Sequence, residues 1–153
     1  MPMKAHLVHA EEMRFRARAD DAPAILLDAG DRPTRRGPSP MQVALLAALG
    51  CTASDVVWIL KKERVPFTSF EIDAEAERAE DDPRVFTKIR MHYRLHGSGI
   101  RESAVRRAIE LSSETYCSVG IMLRRAGVEF VNTVEIVPEG LPVLNARTRA
   151  GYL

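Results

Sequence analysis

The chain has 153 residues, which is the size of one domain and enough to bury a core without a structural metal or a disulfide framework. Its 22 Lys and Arg residues balance 21 Asp and Glu residues, and the net charge of +1 provides no electrostatic basis for binding nucleic acid or a membrane surface. The N-terminus lacks the apolar run of a secretion signal, so we expect a single domain over residues 1–153 in the cytoplasm, where its two cysteines stay reduced.

Three short strands are predicted before residue 30, at 6–9, 13–19 and 24–28. In the second strand apolar residues alternate with arginines, the period of two that gives a strand one core side and one solvent side. Residues 29–38 are rich in Gly and Pro, which predicts a loop. This loop brings Arg35 and Arg36 close to the start of the next element.

A long apolar helix is predicted over residues 39–64, and it carries Cys51. Ser39 fits the N-cap position and Gln42 fits the reciprocal position of a capping box. Apolar residues occupy nearly every side, so we expect a buried central helix. Asp55 lies near its middle and argues against a membrane span, which needs about 20 uninterrupted apolar residues.

An antiparallel hairpin is predicted after this helix. Apolar and acidic residues alternate at 70–77, apolar and basic residues alternate at 88–96, and Asp81 to Pro83 give a turn signal between them. Opposite charges facing each other across a strand pair contribute only about 0.2 to 1 kcal/mol each. The apolar face therefore carries the stability, and the charges fix the register.

The remaining pattern predicts helices at 101–115 and 116–126 and a last strand at 128–137. Cys117 stands at the start of the second of these helices. Residues 138–153 are expected to be a tail without assigned structure. The order of elements indicates an α+β domain in which the helices gather on an antiparallel sheet.

The residues alone leave the role of the two cysteines open. Free cysteine is among the most buried residue types, and on spacing alone two small core residues are the favoured interpretation. The spacing matches no zinc pattern. Cys117, however, lies at a helix N-terminus, where the helix dipole favours a thiolate. Cys51 lies within its helix and depends on a neighbouring cation or hydrogen-bond donor for reactivity.

Two blocks of sequence each contain one cysteine: GPSPMQVALLAALGCTASDVVWILKK at 37–62 and ELSSETYCSVGIMLRRAGV at 110–128. Together they resemble the OsmC/Ohr family of cysteine-dependent, peroxide-detoxifying proteins, and in detail they are closest to its YhfA-like branch. The resemblance runs from about residue 13 to residue 137. It implies an OsmC-like α+β fold, with antiparallel sheets packed on two long central helices in an intertwined homodimer.

The resemblance also implies a chemistry. Cys51 would be the peroxidatic cysteine, which attacks the O–O bond of an organic hydroperoxide and becomes a sulfenic acid. Cys117 would be the resolving cysteine, and an external dithiol would reduce the resulting disulfide. The implied partners are a second copy of the chain, the hydroperoxide and the dithiol. No metal, flavin or haem is required.

Further residues are candidates for supporting the cysteines. The peroxidase branches hold the first cysteine with an arginine and a glutamate, and here Gln42 stands near the glutamate position. The candidates in this chain are Gln42, Asp55, Arg35, Arg36, Glu114 and the arginines of strand 13–19. For the arginines and Glu114 the alternative is a solvated surface position. For Gln42 it is the capping box, and for Asp55 it is a hydrogen bond within the dimer core.

Two other functions remain open. An OsmC-like dimer could bind a small apolar or thiol-reactive ligand without turnover, in the same interface cavity that would hold the hydroperoxide. The chain could also be a structural or interaction module whose cysteines are inert.

Overall fold

The computed structural model describes residues 1–140, so most of the predicted tail at 138–153 lies outside the described residues. The chain forms two compact units that divide between Ala48 and Leu49. The single domain expected over residues 1–153 stays a prediction.

The first unit contains the three predicted strands. They are β1 (Ala5–Glu11), β2 (Arg14–Ala19) and β3 (Ile25–Asp28), and they form an antiparallel sheet in the order β1-β2-β3. The alternation of apolar residues and arginines in β2 therefore predicted a strand correctly.

Asp28, at the end of β3, holds the following loop. Its carboxylate is buried and accepts the backbone N–H groups of Gly30 and Arg36, both at 2.9 Å, and Nε of Arg14 at 3.1 Å. These hydrogen bonds, first those from the Arg36 and Gly30 amides, hold the pKa of Asp28 below its ordinary value. One ionised carboxylate thus fixes the loop that carries Arg35 and Arg36.

The long helix is α1 (Pro40–Lys62), and it begins with the predicted capping box. The N–H of Ser39 donates to Oε1 of Gln42 at 2.8 Å, and the N–H of Gln42 donates to Oγ of Ser39 at 3.3 Å. Two backbone donors that the helix itself cannot satisfy are thereby paired.

In the single chain α1 is not buried on all sides, and its place as a buried central helix stays a prediction. Leu46 is 57% exposed and Trp58 is 58% exposed. By length and composition α1 is also apolar enough to cross a membrane. We expected Asp55 to exclude a span, and by this criterion it does not. The core helix of a soluble protein meets the same criterion. The periodicity of a sequence shows which side chains are apolar, but it does not identify the surface that covers them.

The second unit contains the predicted hairpin. Strands β4 (Ser69–Arg78) and β5 (Phe86–His96) pair antiparallel, with acidic residues of β4 opposite basic residues of β5. The facing pairs are Glu71 and Arg94, Asp73 and His92, Glu75 and Arg90, and Glu77 and Lys88. The predicted charge pairing is confirmed.

The last strand, β6 (Glu129–Val137), pairs parallel with β5, and the sheet order is β4-β5-β6. The expected antiparallel sheet is therefore wrong at this edge. The connection runs through α2 (Glu102–Leu111), a π-helical turn (Ser112–Tyr116) and α3 (Ser118–Arg125), and a helical crossover of this length returns the chain to the same end of the sheet.

The fold of residues 1–140 is α+β, with three α-helices and two small sheets. Residues 1–140 of one chain supply one long helix, so the second central helix and the intertwined homodimer stay predictions. The core of the second unit consists of apolar side chains from the middle of β5 and from its helices, each worth about 1.5 to 3 kcal/mol when fully buried. Its fully or almost fully buried members include Val56, Leu60, Ile89, Met91, Tyr93, Leu95, Val105 and Ala108.

Candidate functional site

The second unit brings the two cysteines together with a carboxylate. The sulfur atoms of Cys51 and Cys117 and an oxygen of Asp55 all lie within 4.8 Å of one another. Cys51 and Asp55 lie one turn apart on the same face of α1, and Cys117 comes from the start of α3. Both cysteines are free thiols. Three residues named from the sequence thus form one cluster.

The two thiols differ in their access to solvent. Cys51 is partly exposed, whereas Cys117 is only 1% exposed. A small molecule can reach Cys51 from outside, whereas Cys117 is out of reach without a local opening. The two cysteines are therefore suited to different chemical roles.

Cys117 has hydrogen-bond partners on two sides. It is the N-cap of α3, and its Sγ accepts the backbone N–H of Gly120 at 3.3 Å. Oγ1 of Thr52, on α1, lies 3.3 Å from the same sulfur. A Cβ atom at Gly120 would come within 3.0 Å of Sγ, so the absence of a side chain there leaves room for the sulfur.

Burial dominates the ionisation of Cys117. It raises the pKa of the thiol, while the hydrogen bonds from Thr52 and Gly120 lower it and the adjacent sulfur of Cys51 raises it further. The position of Cys117 at a helix N-terminus is confirmed. The thiolate that we expected from that position is not favoured, because loss of hydration outweighs the hydrogen bonds.

Asp55 is held by a hydrogen bond. The hydroxyl of Ser112, which is fully buried at the start of the π-helical turn, donates to Oδ2 of Asp55 at 3.0 Å. This fixes the direction of the carboxylate beside the two sulfurs. The bond lies within one chain, so the alternative given for Asp55, a hydrogen bond within the dimer core, stays a prediction.

Cys117 and Arg124 both interact electrostatically with Tyr93. The phenol of Tyr93 is buried and its pKa is raised by that burial, with the charge of Cys117 raising it and the charge of Arg124 lowering it. Arg124 donates to the carbonyl and hydroxyl oxygens of Ser113 at 3.1 and 3.2 Å and lies over the ring of Phe130. It is a cation of this unit that the sequence did not single out.

Gln42, Arg35 and Arg36 lie in the first unit. Arg35 donates to the carbonyl oxygen of Gly30 through Nε and Nη2 at 3.0 and 2.8 Å, and its Nη1 donates to Oε1 of Gln42 at 3.4 Å. The side chain of Arg36 lines a cavity of about 610 Å³. The structure therefore pairs Arg35 with Gln42, while their placement relative to Cys51 stays a prediction.

Glu114 lies on the surface rather than in the cysteine cluster. It is exposed and lines a shallow cavity of about 340 Å³ together with Arg106 and Asn132, among others. Its supporting role for Cys117 stays a prediction.

Sequence reasoning missed Thr52, Ser112 and Gly120. Each has a weak signal: Thr52 directly follows Cys51 in an apolar helix, and the other two flank Cys117 in the second cysteine block. A polar residue within an apolar run needs a partner when it is buried, and this rule could have pointed to Thr52. The partner itself could not be named without the fold.

Comparison with known proteins places this cluster in context. A family model described as "OsmC-like protein" matches residues 30–131. Protein YhfA of Escherichia coli (strain K12) is 39% identical over 137 residues, which cover 88% of this chain and 98% of that protein.

Two solved structures have the same fold. An OsmC-like protein from Mycoplasma pneumoniae superposes with a TM-score of 0.78 at 18% identity, covering 90% of this chain and 98% of that one. The organic hydroperoxide resistance protein OhrB of Bacillus subtilis superposes with a TM-score of 0.63 at 12% identity, covering 88% and 98%. At these identities the likeness concerns the fold alone.

Proposed function

The chain belongs to the OsmC-like protein family, and from this premise we propose that it reduces organic hydroperoxides with a pair of cysteines. Cys51 is the peroxidatic cysteine and Cys117 is the resolving cysteine. The observation that carries the proposal is that the two sulfurs lie within 4.8 Å of each other with only one of them accessible.

The first step takes place at Cys51. Its thiolate attacks the terminal oxygen of the hydroperoxide, an S–O bond forms, and the O–O bond breaks. The alkoxide leaves and takes up a proton to become the alcohol. The sulfur is oxidised by two electrons to a sulfenic acid, and the peroxide is reduced by the same two electrons.

The second step joins the two cysteines. The thiolate of Cys117 attacks the sulfur of the sulfenic acid, an S–S bond forms, and hydroxide leaves and is protonated to water. The sulfurs must approach from within 4.8 Å to about 2.05 Å, which requires a small local movement. Two thiol–disulfide exchanges with an external dithiol then restore both thiols. This cycle requires no metal, flavin or haem.

The substrate class follows from the surroundings of Cys51. The stretch of α1 that carries it is apolar, which favours an alkyl hydroperoxide over the more water-like hydrogen peroxide. The OhrB protein with the same fold is named for resistance to organic hydroperoxides, which agrees with this choice.

The assembly that we propose is a homodimer in the cytoplasm. Large apolar side chains of α1, among them Leu46 and Trp58, are exposed in the single chain, and a second copy would cover such a surface. A reducing compartment supplies the dithiol and keeps both cysteines available.

Peroxide consumption tests the proposal. Wild type should consume cumene hydroperoxide when dithiothreitol is present, and Cys51→Ser should not. Cys117→Ser should stop at the sulfenic acid, which dimedone labels at Cys51. Ser54→Ala removes an exposed hydroxyl of α1 and should behave as wild type. If wild type consumes no hydroperoxide with the dithiol, the proposal is wrong.

One observation favours a second function. In the cysteine cluster the charged group within 4.8 Å of Cys51 is the carboxylate of Asp55, and not the arginine with which the peroxidase branches hold this cysteine. A dimer that binds a small apolar or thiol-reactive ligand without turnover would not need that arginine. In this case native mass spectrometry of the purified protein should show a retained ligand, and Cys51→Ser should keep it.

A further inference from the structure

The donor atoms of the cysteine cluster are close enough to share one cation. Zinc binds sulfur at about 2.3 Å and carboxylate oxygen at about 2.0 to 2.2 Å, so ligands at the corners of a tetrahedron are separated by roughly 3.5 to 3.8 Å. The three donor atoms here lie within 4.8 Å of one another. Side-chain rotations that bring them together by roughly 1 Å would suffice to close the site around zinc.

The fold supplies this geometry even though the sequence spacing matches no zinc pattern. Cys51 and Asp55 are one helical turn apart, the spacing at which two side chains of one helix face can hold the same metal. Cys117 approaches from the start of α3. Two sulfur ligands and one carboxylate select a thiophilic cation such as zinc over magnesium or calcium.

Groups around the cluster orient the ligands as they do in known metal sites. Ser112 donates to Oδ2 of Asp55, and a carboxylate oxygen of Asp55 lies within 4.8 Å of both sulfurs. The backbone N–H of Gly120 donates to the sulfur of Cys117, and the hydroxyl of Thr52 can do the same. Ser112 is fully buried, so this arrangement is part of the packed interior.

The charges of the ligands change when a cation binds. With zinc bound, two thiolates and one carboxylate would carry three negative charges within 4.8 Å, and the divalent cation would offset two of them. The two thiol protons pass to solvent when the cation binds. Cys51 is partly exposed and gives the cation a path of entry.

We propose that the reduced protein binds one zinc ion per chain through Cys51, Asp55 and Cys117. With three protein ligands, the fourth tetrahedral position belongs to water, as in open zinc sites. The site goes beyond the redox cycle, in which no metal takes part.

A regulatory consequence rests on the proposed function. Zinc bound to both sulfurs withdraws electron density from them, so Cys51 attacks a peroxide more slowly in the loaded protein. Formation of the disulfide removes two of the three ligands and releases the ion. Metal binding and reaction with peroxide would then compete for the same two sulfurs.

Metal binding can be measured without any peroxide. Reduced protein, stripped with a chelator and kept under argon, is titrated with Zn²⁺ in competition with a chromogenic chelator. Wild type should bind one ion per chain. Asp55→Asn should bind at least about tenfold more weakly, and Ser112→Ala should lose about 10- to 100-fold, as orienting groups of metal ligands do. Glu110→Gln removes an exposed carboxylate of α2 and should bind as wild type.

Co²⁺ reports the ligand set directly. Wild type should give the intense absorption of tetrahedral cobalt and a sulfur-to-cobalt charge-transfer band, and Cys51→Ser should weaken both. Equal Zn²⁺ affinity in wild type, Asp55→Asn and Ser112→Ala would overturn the proposal, as would binding of less than one ion per chain. Circular dichroism shows whether each variant is folded. A chain that binds zinc but consumes no peroxide contradicts only the proposed function, and the reverse result contradicts only the zinc site.

Discussion

Replacing Thr52 with valine should slow formation of the disulfide between Cys51 and Cys117. The hydroxyl of Thr52 lies 3.3 Å from the sulfur of Cys117, and valine keeps the size of the side chain while removing this hydrogen bond. A hydrogen bond to a charged group contributes about 1.5 to 3 kcal/mol. Sulfur is a weak acceptor, so we take about 1.5 kcal/mol for this bond. The thiolate of Cys117 would then be roughly tenfold rarer.

The loss of rate is smaller than the loss of thiolate. A more basic thiolate is a better nucleophile, and with a Brønsted coefficient of about 0.4 to 0.5 it regains about threefold, which leaves disulfide formation about three- to fourfold slower. The rate is measured after mixing with one equivalent of cumene hydroperoxide without reductant, by quenching with N-ethylmaleimide and counting the disulfide by mass spectrometry. Thr52→Ser keeps the hydroxyl and should stay near wild type. If Thr52→Val forms the disulfide as fast as wild type, the hydroxyl does not stabilise the thiolate and the reasoning fails.

Two further predictions concern the surface of α1 and the first unit. Trp58→Ala should raise the dissociation constant of the proposed homodimer by about tenfold or more, because a large aromatic side chain that is 58% exposed in the single chain would be a principal contact. Sedimentation velocity over a dilution series measures this constant. An unchanged dissociation constant would show that Trp58 is not in the interface. Because folding lowers the pKa of Asp28, this carboxylate stabilises the folded protein at pH values above its ordinary pKa of 3.8. This contribution is lost as the pH falls through the folded-state pKa. Urea midpoints should therefore fall with acid in wild type and change less in Asp28→Asn, and parallel pH curves for the two proteins would contradict this role.

The elements predicted best are those whose determinants are close in sequence. The hairpin of β4 and β5 follows from alternation and a turn signal, which place an acidic strand face opposite a basic one. The individual pairs, such as Glu71 with Arg94, are seen only in the structure. The capping box needs only Ser39 and Gln42, three positions apart.

What could not be predicted depends on distant parts of the chain. Neither charge nor alternation predicts that β6 pairs with β5 in the parallel direction, because the strand direction depends on the long helical connection between them. The hydrogen bonds of Thr52 to Cys117 and of Ser112 to Asp55 join residues 65 and 57 positions apart. The sequence analysis named both cysteines and Asp55, but only the fold shows that Cys117 lies beside the other two.

The π-helical turn at Ser112–Tyr116 constrains how this protein can change length. The N–H of Cys117 donates to the carbonyl oxygen of Ser112 at 2.8 Å, a bond that spans one residue more than an α-helical bond. Since each residue of an α-helix turns the chain by about 100°, deleting Thr115 would regularise the turn and rotate Cys117 away from Cys51 by roughly that angle. Insertions and deletions in this connection are therefore expected to be excluded among active relatives, and chimeric proteins should exchange residues 112–117 as one block.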